Sequence, residues 1–108
     1  MTNRESELLE NLKSSNVDIA IESAVSLCHE FLFPRGAFEE AEYLLFEQAG
    51  LQGTFHGNII ELTLAETYFK MGEFSRGTRF LETARSSNVD SVRQKASELR
   101  AMVDEKDN

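Results

Sequence analysis

The stretch Leu62–Ala84, LTLAETYFKMGEFSRGTRFLETA, decides the fold of this chain. Its first half repeats apolar residues at helical spacing, at Leu62, Leu64, Ala65, Tyr68, Phe69 and Met71. Gly72 then interrupts the pattern, and a second helical run follows with apolar or small residues at Phe74, Gly77, Phe80, Leu81 and Ala84. Two amphipathic helices joined by so short a turn must lie antiparallel, so the stretch predicts a helical hairpin.

The hairpin belongs to a longer internal repeat. Ser14–Asp18 recurs as Ser86–Asp90, 72 residues later, and half of that offset separates Gly36 from Gly72. The same step of 36 residues also links Glu30 to Glu66, Phe33 to Phe69, Phe38 to Phe74, and Leu45 to Leu81. Because these matches share one register, they predict stacked helical units with equivalent hairpin turns.

The pattern resembles the tetratricopeptide repeat, whose unit is roughly 34 residues long. The resemblance is strongest in Asn58–Val89, where the pattern positions hold Leu64, Ala65, Tyr68, Gly72, Phe74, Gly77, Leu81 and Ala84. In the preceding unit Gly36, Phe38, Ala41 and Leu45 match, whereas Cys28 and His29 replace the expected leucine and small residue. The resemblance implies an all-α, right-handed helical-repeat array.

The same register predicts six antiparallel helices in a single domain, residues 1–108. We expect a first helix near 5–13, a second from a cap at Asn16 or Asp18 to about Phe33, and a third at 37–49. Asn58 with Glu61 predicts a capping pair for the fourth, and the fifth and sixth span about 74–85 and 89–103, the last capped by Asn88. The repeat units are about 22–57 and 58–91, flanked by an N-terminal helix and a C-terminal capping helix.

Composition restricts the class of partner. The formal net charge is −8, and residues 1–57 carry three basic against ten acidic side chains, a net of −7. Nucleic acids and anionic membranes are therefore not expected, because both require a basic surface. The acidic half favours a protein partner with basic flanks, or it serves only to keep the chain soluble. With one cysteine and no apolar run of signal or membrane-span length, we expect a cytoplasmic protein.

The resemblance also implies where a partner binds, since first helices of such repeats line a concave groove that holds a peptide or helix. Transferred to this sequence, the predicted partner-binding residues are Leu27, Glu30, Phe33, Ile59, Leu62, Glu66, Phe69, Lys70, Leu99 and Met102. Four aromatic residues, Phe31, Phe33, Phe46 and Phe55, either complete the core or anchor the partner, and Phe33 is also one of the predicted groove residues.

The resemblance implies a non-enzymatic adaptor or small co-chaperone. The alternative is a structural or assembly subunit that forms a homodimer or larger oligomer through its open ends. Catalytic and metal sites are not predicted, and no cofactor is expected. Cys28-His29 lacks a second ligand pair at zinc-like spacing, which favours a buried cysteine beside a surface histidine. Glu39, Glu40 and Glu42 are expected on a solvated helix face rather than in an acid–base pair.

Overall fold

The computed structural model describes residues 3–52 and 58–106, and within them the chain forms six α-helices and no strand. The helices are α1 (Asn3–Asn11), α2 (Val17–Leu27), α3 (Phe38–Gln52), α4 (Ile59–Lys70), α5 (Phe74–Arg85) and α6 (Asp90–Lys106). The prediction of an all-α chain is confirmed. Within the same ranges, the helices are all too short or too polar to cross a membrane.

The chain divides into two compact units, Met1–His56 and Gly57–Asn108, which we call unit 1 and unit 2. In unit 1, α1 and α3 pack against α2. In unit 2, α4 and α5 form the hairpin predicted from Leu62–Ala84, and α6 packs against both. The division lies next to the predicted boundary between the repeat units, while the single domain stays a prediction.

The two hairpin turns are equivalent, as the 36-residue step predicts. Gly36 and Gly72 have φ angles of 73° and 80°, a left-handed conformation that is costly for residues with a Cβ atom. The amide of Gly36 donates to the Phe33 carbonyl (3.0 Å), and that of Gly72 donates to the Phe69 carbonyl (3.1 Å). In each turn the next amide donates across five residues, from Ala37 to Leu32 (2.8 Å) and from Glu73 to Tyr68 (2.9 Å). Both helices therefore end in the same Schellman arrangement.

The second helix differs from its prediction at its end. It continues from α2 as a π-helical turn, Cys28–Leu32, in which the Phe33 amide donates to the Cys28 carbonyl at 2.8 Å. Pro34 supplies a physical reason, because it has no amide hydrogen and its ring would crowd the carbonyl four residues earlier. A wider turn just before the proline relieves that crowding.

The predicted caps have mixed outcomes. The Asn16 side chain accepts a hydrogen bond from the Ile19 amide, so Asn16 caps α2 as predicted. Asn58 takes a left-handed conformation, φ 69°, and its side chain makes no capping hydrogen bond to the backbone. The side-chain amide of Asn58 donates to the Glu61 carboxylate instead. The sixth helix begins at Asp90, two residues beyond Asn88.

The third helix is longer than the predicted 37–49, because α3 continues through Gly50 to Gln52. Residues 53–57, with Phe55 and His56, lie outside the described residues. The core of unit 2 contains Leu62, Ala65, Leu81, Ala84, Val92 and Ala96. In unit 1 the buried apolar residues include Leu8, Ala20, Ile21, Ala24, Leu27, Cys28, Ala41 and Leu45.

Candidate functional site

Unit 1 carries a surface groove of about 480 Å³, which we call the unit 1 groove. Its apolar lining comes from α1, α2, the π-helical turn and α3, and consists of Leu9, Leu27, Leu32, Tyr43 and Leu44. Leu27 is nearly buried, whereas Leu9 is 38% exposed and Tyr43 is 71% exposed. Exposed apolar side chains such as Leu9 and Tyr43, beside leucines that are partly or fully buried, are typical of a binding groove.

Charged side chains form the rim of the groove. They are Glu5, Arg35, Glu39 and Glu40, three carboxylates against one guanidinium. The guanidinium of Arg35 donates to both carboxylate oxygens of Glu5, at 2.7 and 2.8 Å, and lies 5.6 Å from the centre of the Phe31 ring. Since Arg35 is held by Glu5, the exposed Glu39 and Glu40 leave the rim with an excess of negative charge.

The Glu5–Arg35 pair also fixes α1 on the unit. The Glu5 side chain is only 10% exposed, and the hydrogen bonds from Arg35 lower the pKa of the Glu5 carboxyl. A second pair joins the same two segments, because the Arg4 guanidinium donates to the Glu30 carboxylate at 3.2 and 3.4 Å. Both ion pairs join α1 to the π-helical turn and the hairpin turn that follows it. They therefore also hold Leu9, which lies on α1, beside the groove.

We expect acid to weaken this attachment. Because the folded-state pKa of Glu5 is below its ordinary value of 4.5, the pair stabilises fully above that pH. The stabilisation is lost as the pH falls through the lowered folded-state value. In thermal unfolding, the melting temperature of Glu5→Gln should lie below that of the wild-type chain at pH 7. The difference should shrink below about pH 4.5. If the difference in melting temperature between the two proteins is the same at pH 7 and pH 3, the negative charge of Glu5 does not stabilise the fold.

The exposed aromatic residue of the groove lies close to a carboxylate. Glu47 is one turn further along α3, and its interaction with the Tyr43 hydroxyl raises the pKa of Tyr43. Since Tyr43 is largely exposed, its ring offers a partner a large apolar surface with a polar end.

The structure places the predicted partner-binding residues of unit 1 in different roles. Leu27, 3% exposed, lies in the floor of the groove. Glu30, one of the predicted partner-binding residues, forms an exposed ion pair with Arg4 of the same chain. Phe33 is half-buried, and its ring lies 5.5 Å from that of His29 and 6.1 Å from that of Phe38.

In unit 2 the predicted residues mostly serve the core. Leu62 is 6% exposed inside the apolar cluster, so it has almost no surface to offer a partner. Ile59, Phe69 and Leu99 are half-buried against the same cluster. The residues that remain near solvent are Glu66, Lys70 and Met102, of which Glu66 and Lys70 already interact within the chain.

Five residues that line the groove were not among the predicted partner-binding residues. Leu9, Leu32, Arg35, Tyr43 and Leu44 come together only because α1, the π-helical turn and α3 pack around α2. Tyr43 offered a signal, since it interrupts a glutamate-rich face of α3 and has Arg79 as its equivalent one repeat later.

Other chemistry in the described residues is limited. Cys28 is fully buried and His29 is exposed, as predicted from the sequence. Within residues 3–52 and 58–106, His, Cys, Asp and Glu side chains form no group of three that could hold a metal ion. Glu39 and Glu40 are exposed on α3 as predicted, whereas Glu42, predicted on the same solvated face, is half-buried.

No family model, no curated protein and no solved structure matches this chain. The resemblance to tetratricopeptide repeats therefore rests on the residues of this chain alone.

Proposed function

We propose that this chain is a non-enzymatic protein-interaction module that holds an apolar segment of a partner protein in the unit 1 groove. The observation that carries the proposal is the groove itself, with Leu9, Leu27, Leu32 and Leu44 beside the exposed ring of Tyr43. Burial of such side chains against a partner's leucines contributes about 25 cal/mol per Å² of apolar surface removed from water.

The repeat resemblance supports the same class of function. The equivalent Schellman turns at Gly36 and Gly72 are what a helical-repeat protein requires, and such proteins act by binding other proteins. The right-handed, tetratricopeptide-like arrangement, the cytoplasmic location and the adaptor or co-chaperone role are parts of this proposal. We place the partner in the unit 1 groove because Leu62, a residue of the predicted concave surface, is buried in the unit 2 core, whereas Leu9 and Tyr43 of the groove are exposed.

A matched pair of variants tests the groove. Leu9→Gln removes an apolar side chain that lines the groove, and Ile19→Gln removes one of similar exposure (41% against 38%) on α2 that does not line it. The probe is a synthetic helical peptide of about 18 residues with two adjacent leucines at its centre. We expect Leu9→Gln to weaken binding about fivefold or more, which corresponds to about 1 kcal/mol, and Ile19→Gln to have little effect.

The measurement is a calorimetric titration of the full chain, repeated by NMR to map the perturbed amides. Shifts should concentrate on residues around Leu9, Leu32 and Leu44. Equal affinities for Leu9→Gln and Ile19→Gln, or shifts confined to unit 2, would contradict the proposed site. Both substitutions are on the surface, so their effects on the melting temperature should be small and similar.

A further inference from the structure

The outer face of α3 carries two exposed carboxylates, Glu40 in the lining of the groove and Glu47 just beyond it. Glu40 and Glu47 are seven residues apart, so they lie on the same helix face and are separated by two turns, about 10.5 Å along the axis. Tyr43 and Leu44 lie between them, one turn from each glutamate. Both carboxylates are exposed, and Glu47 raises the pKa of the neighbouring Tyr43.

The charges near this face are mainly negative. Arg35 is the one basic side chain among the described residues that line the groove, and its guanidinium is held by Glu5 with a further attraction to Glu40. Glu39 adds a third exposed carboxylate to the same end of α3. An apolar partner segment with acidic flanks would be repelled here, whereas one with basic flanks would reduce the excess of negative charge.

Resting on the proposed function, we infer that the occupant of the groove is a helical segment with a leucine pair bracketed by two basic residues seven positions apart. On a partner helix aligned with α3, that spacing repeats the distance between Glu40 and Glu47. The leucines then contact Leu9, Leu44 and the Tyr43 ring while each lysine or arginine meets one glutamate. The chemistry required of the partner is thus a basic residue at i and i+7 with leucines at i+3 and i+4.

Three forms of the helical probe peptide test this inference on the full chain. The first carries Lys at i and i+7 around the leucine pair, the second carries Gln at both positions, and the third carries Lys at i and i+5. In the third peptide the cations point to different helix faces. We expect the first peptide to bind about three- to tenfold more tightly than the other two at low salt, as two exposed ion pairs would give. The advantage should vanish in about 0.5 M salt.

A charge exchange gives the sharper result. Glu40→Lys combined with Glu47→Lys should reverse the preference, so that a peptide with Glu at i and i+7 binds better than the lysine form. The control is Glu10→Lys combined with Glu22→Lys, which changes the net charge equally at exposed positions of unit 1 outside the groove. That control should keep the preference for lysine.

The outcomes separate the two proposals. If the Gln peptide binds as tightly as the lysine peptide and Leu9→Gln weakens both, the partner class is overturned while the groove stands. If no peptide depends on Leu9, the proposed function itself fails. Should sedimentation show a dimer that the lysine peptide does not dissociate and that Leu9→Gln does, the occupant is a second copy of this chain and the inference is overturned.

Discussion

Phe69→Ala is expected to lower the free energy of unfolding by about 3 kcal/mol, at the low end of the range for removing a phenylalanine from a core. The ring packs against the unit 2 cluster and lies 6.0 Å from the ring of Phe74. It also contacts Gly77 on the facing helix. Because Phe69 is half-buried rather than fully buried, the loss of apolar contacts should be smaller than at a site such as Leu81.

Chemical denaturation of the wild-type chain and the variant measures the effect. Phe74→Ala is the matched control, since its ring is the neighbour of Phe69 but is 45% exposed at the start of α5. We expect its cost to be below about 1 kcal/mol. Unchanged stability of Phe69→Ala together with weaker peptide binding would return Phe69 to the partner-binding surface predicted from the sequence.

The sequence predicted the helices and turns of this fold well because those features depend on local chemistry. A glycine that ends an apolar periodic run predicts the end of a helix, with the glycine in the left-handed conformation. Gly36 and Gly72 both have that conformation. The fifth helix spans Phe74–Arg85 as predicted, since Gly72 limits it on one side and Ser86-Ser87 on the other. Errors occur where the local signal is weak, as at Gly50, which α3 passes through without a turn.

The candidate site could not be predicted in the same way. Periodicity shows which face of a helix is apolar, but it does not show which neighbour covers that face or leaves it open. The repeat resemblance implied a binding surface that includes Leu62 and Phe69, whereas Leu62 lies in the unit 2 core and Phe69 packs against it. The groove depends on α1 being attached through Glu5 and Arg35, which are 30 residues apart and carry no pairing signal in the sequence.

Gly77→Ala is expected to destabilise the chain by about 1–2 kcal/mol, although alanine is the better helix former. Gly77 lies inside α5, and an ideal Cβ atom there would be 2.7 Å from two carbons of the Phe69 ring and 3.0 Å from a third. The ring must move to admit the methyl group, and the cost of that movement exceeds the gain of about 1 kcal/mol in helix propensity. This contact explains why glycine stands where the repeat pattern has alanine.

Gly50→Ala controls for helix propensity, because Gly50 also lies in a helix and a Cβ atom there would have no neighbour within 4 Å. That variant should be neutral or more stable by up to about 1 kcal/mol. A stabilising Gly77→Ala would contradict the steric contact with Phe69.

A double-mutant cycle isolates the contact from every other effect of the two substitutions. In a Phe69→Ala background the obstructing ring is gone, so Gly77→Ala should change sign and stabilise the chain by up to about 1 kcal/mol. The coupling free energy between the two positions should then reach about 2–3 kcal/mol, a size found for residues in direct contact. Denaturant titration of the four proteins gives this value, and a coupling near zero would show that Gly77 does not make room for the ring. A large coupling would assign Phe69 and Gly77 to one packing unit between α4 and α5, which leaves the unit 1 groove as the place to look for the partner.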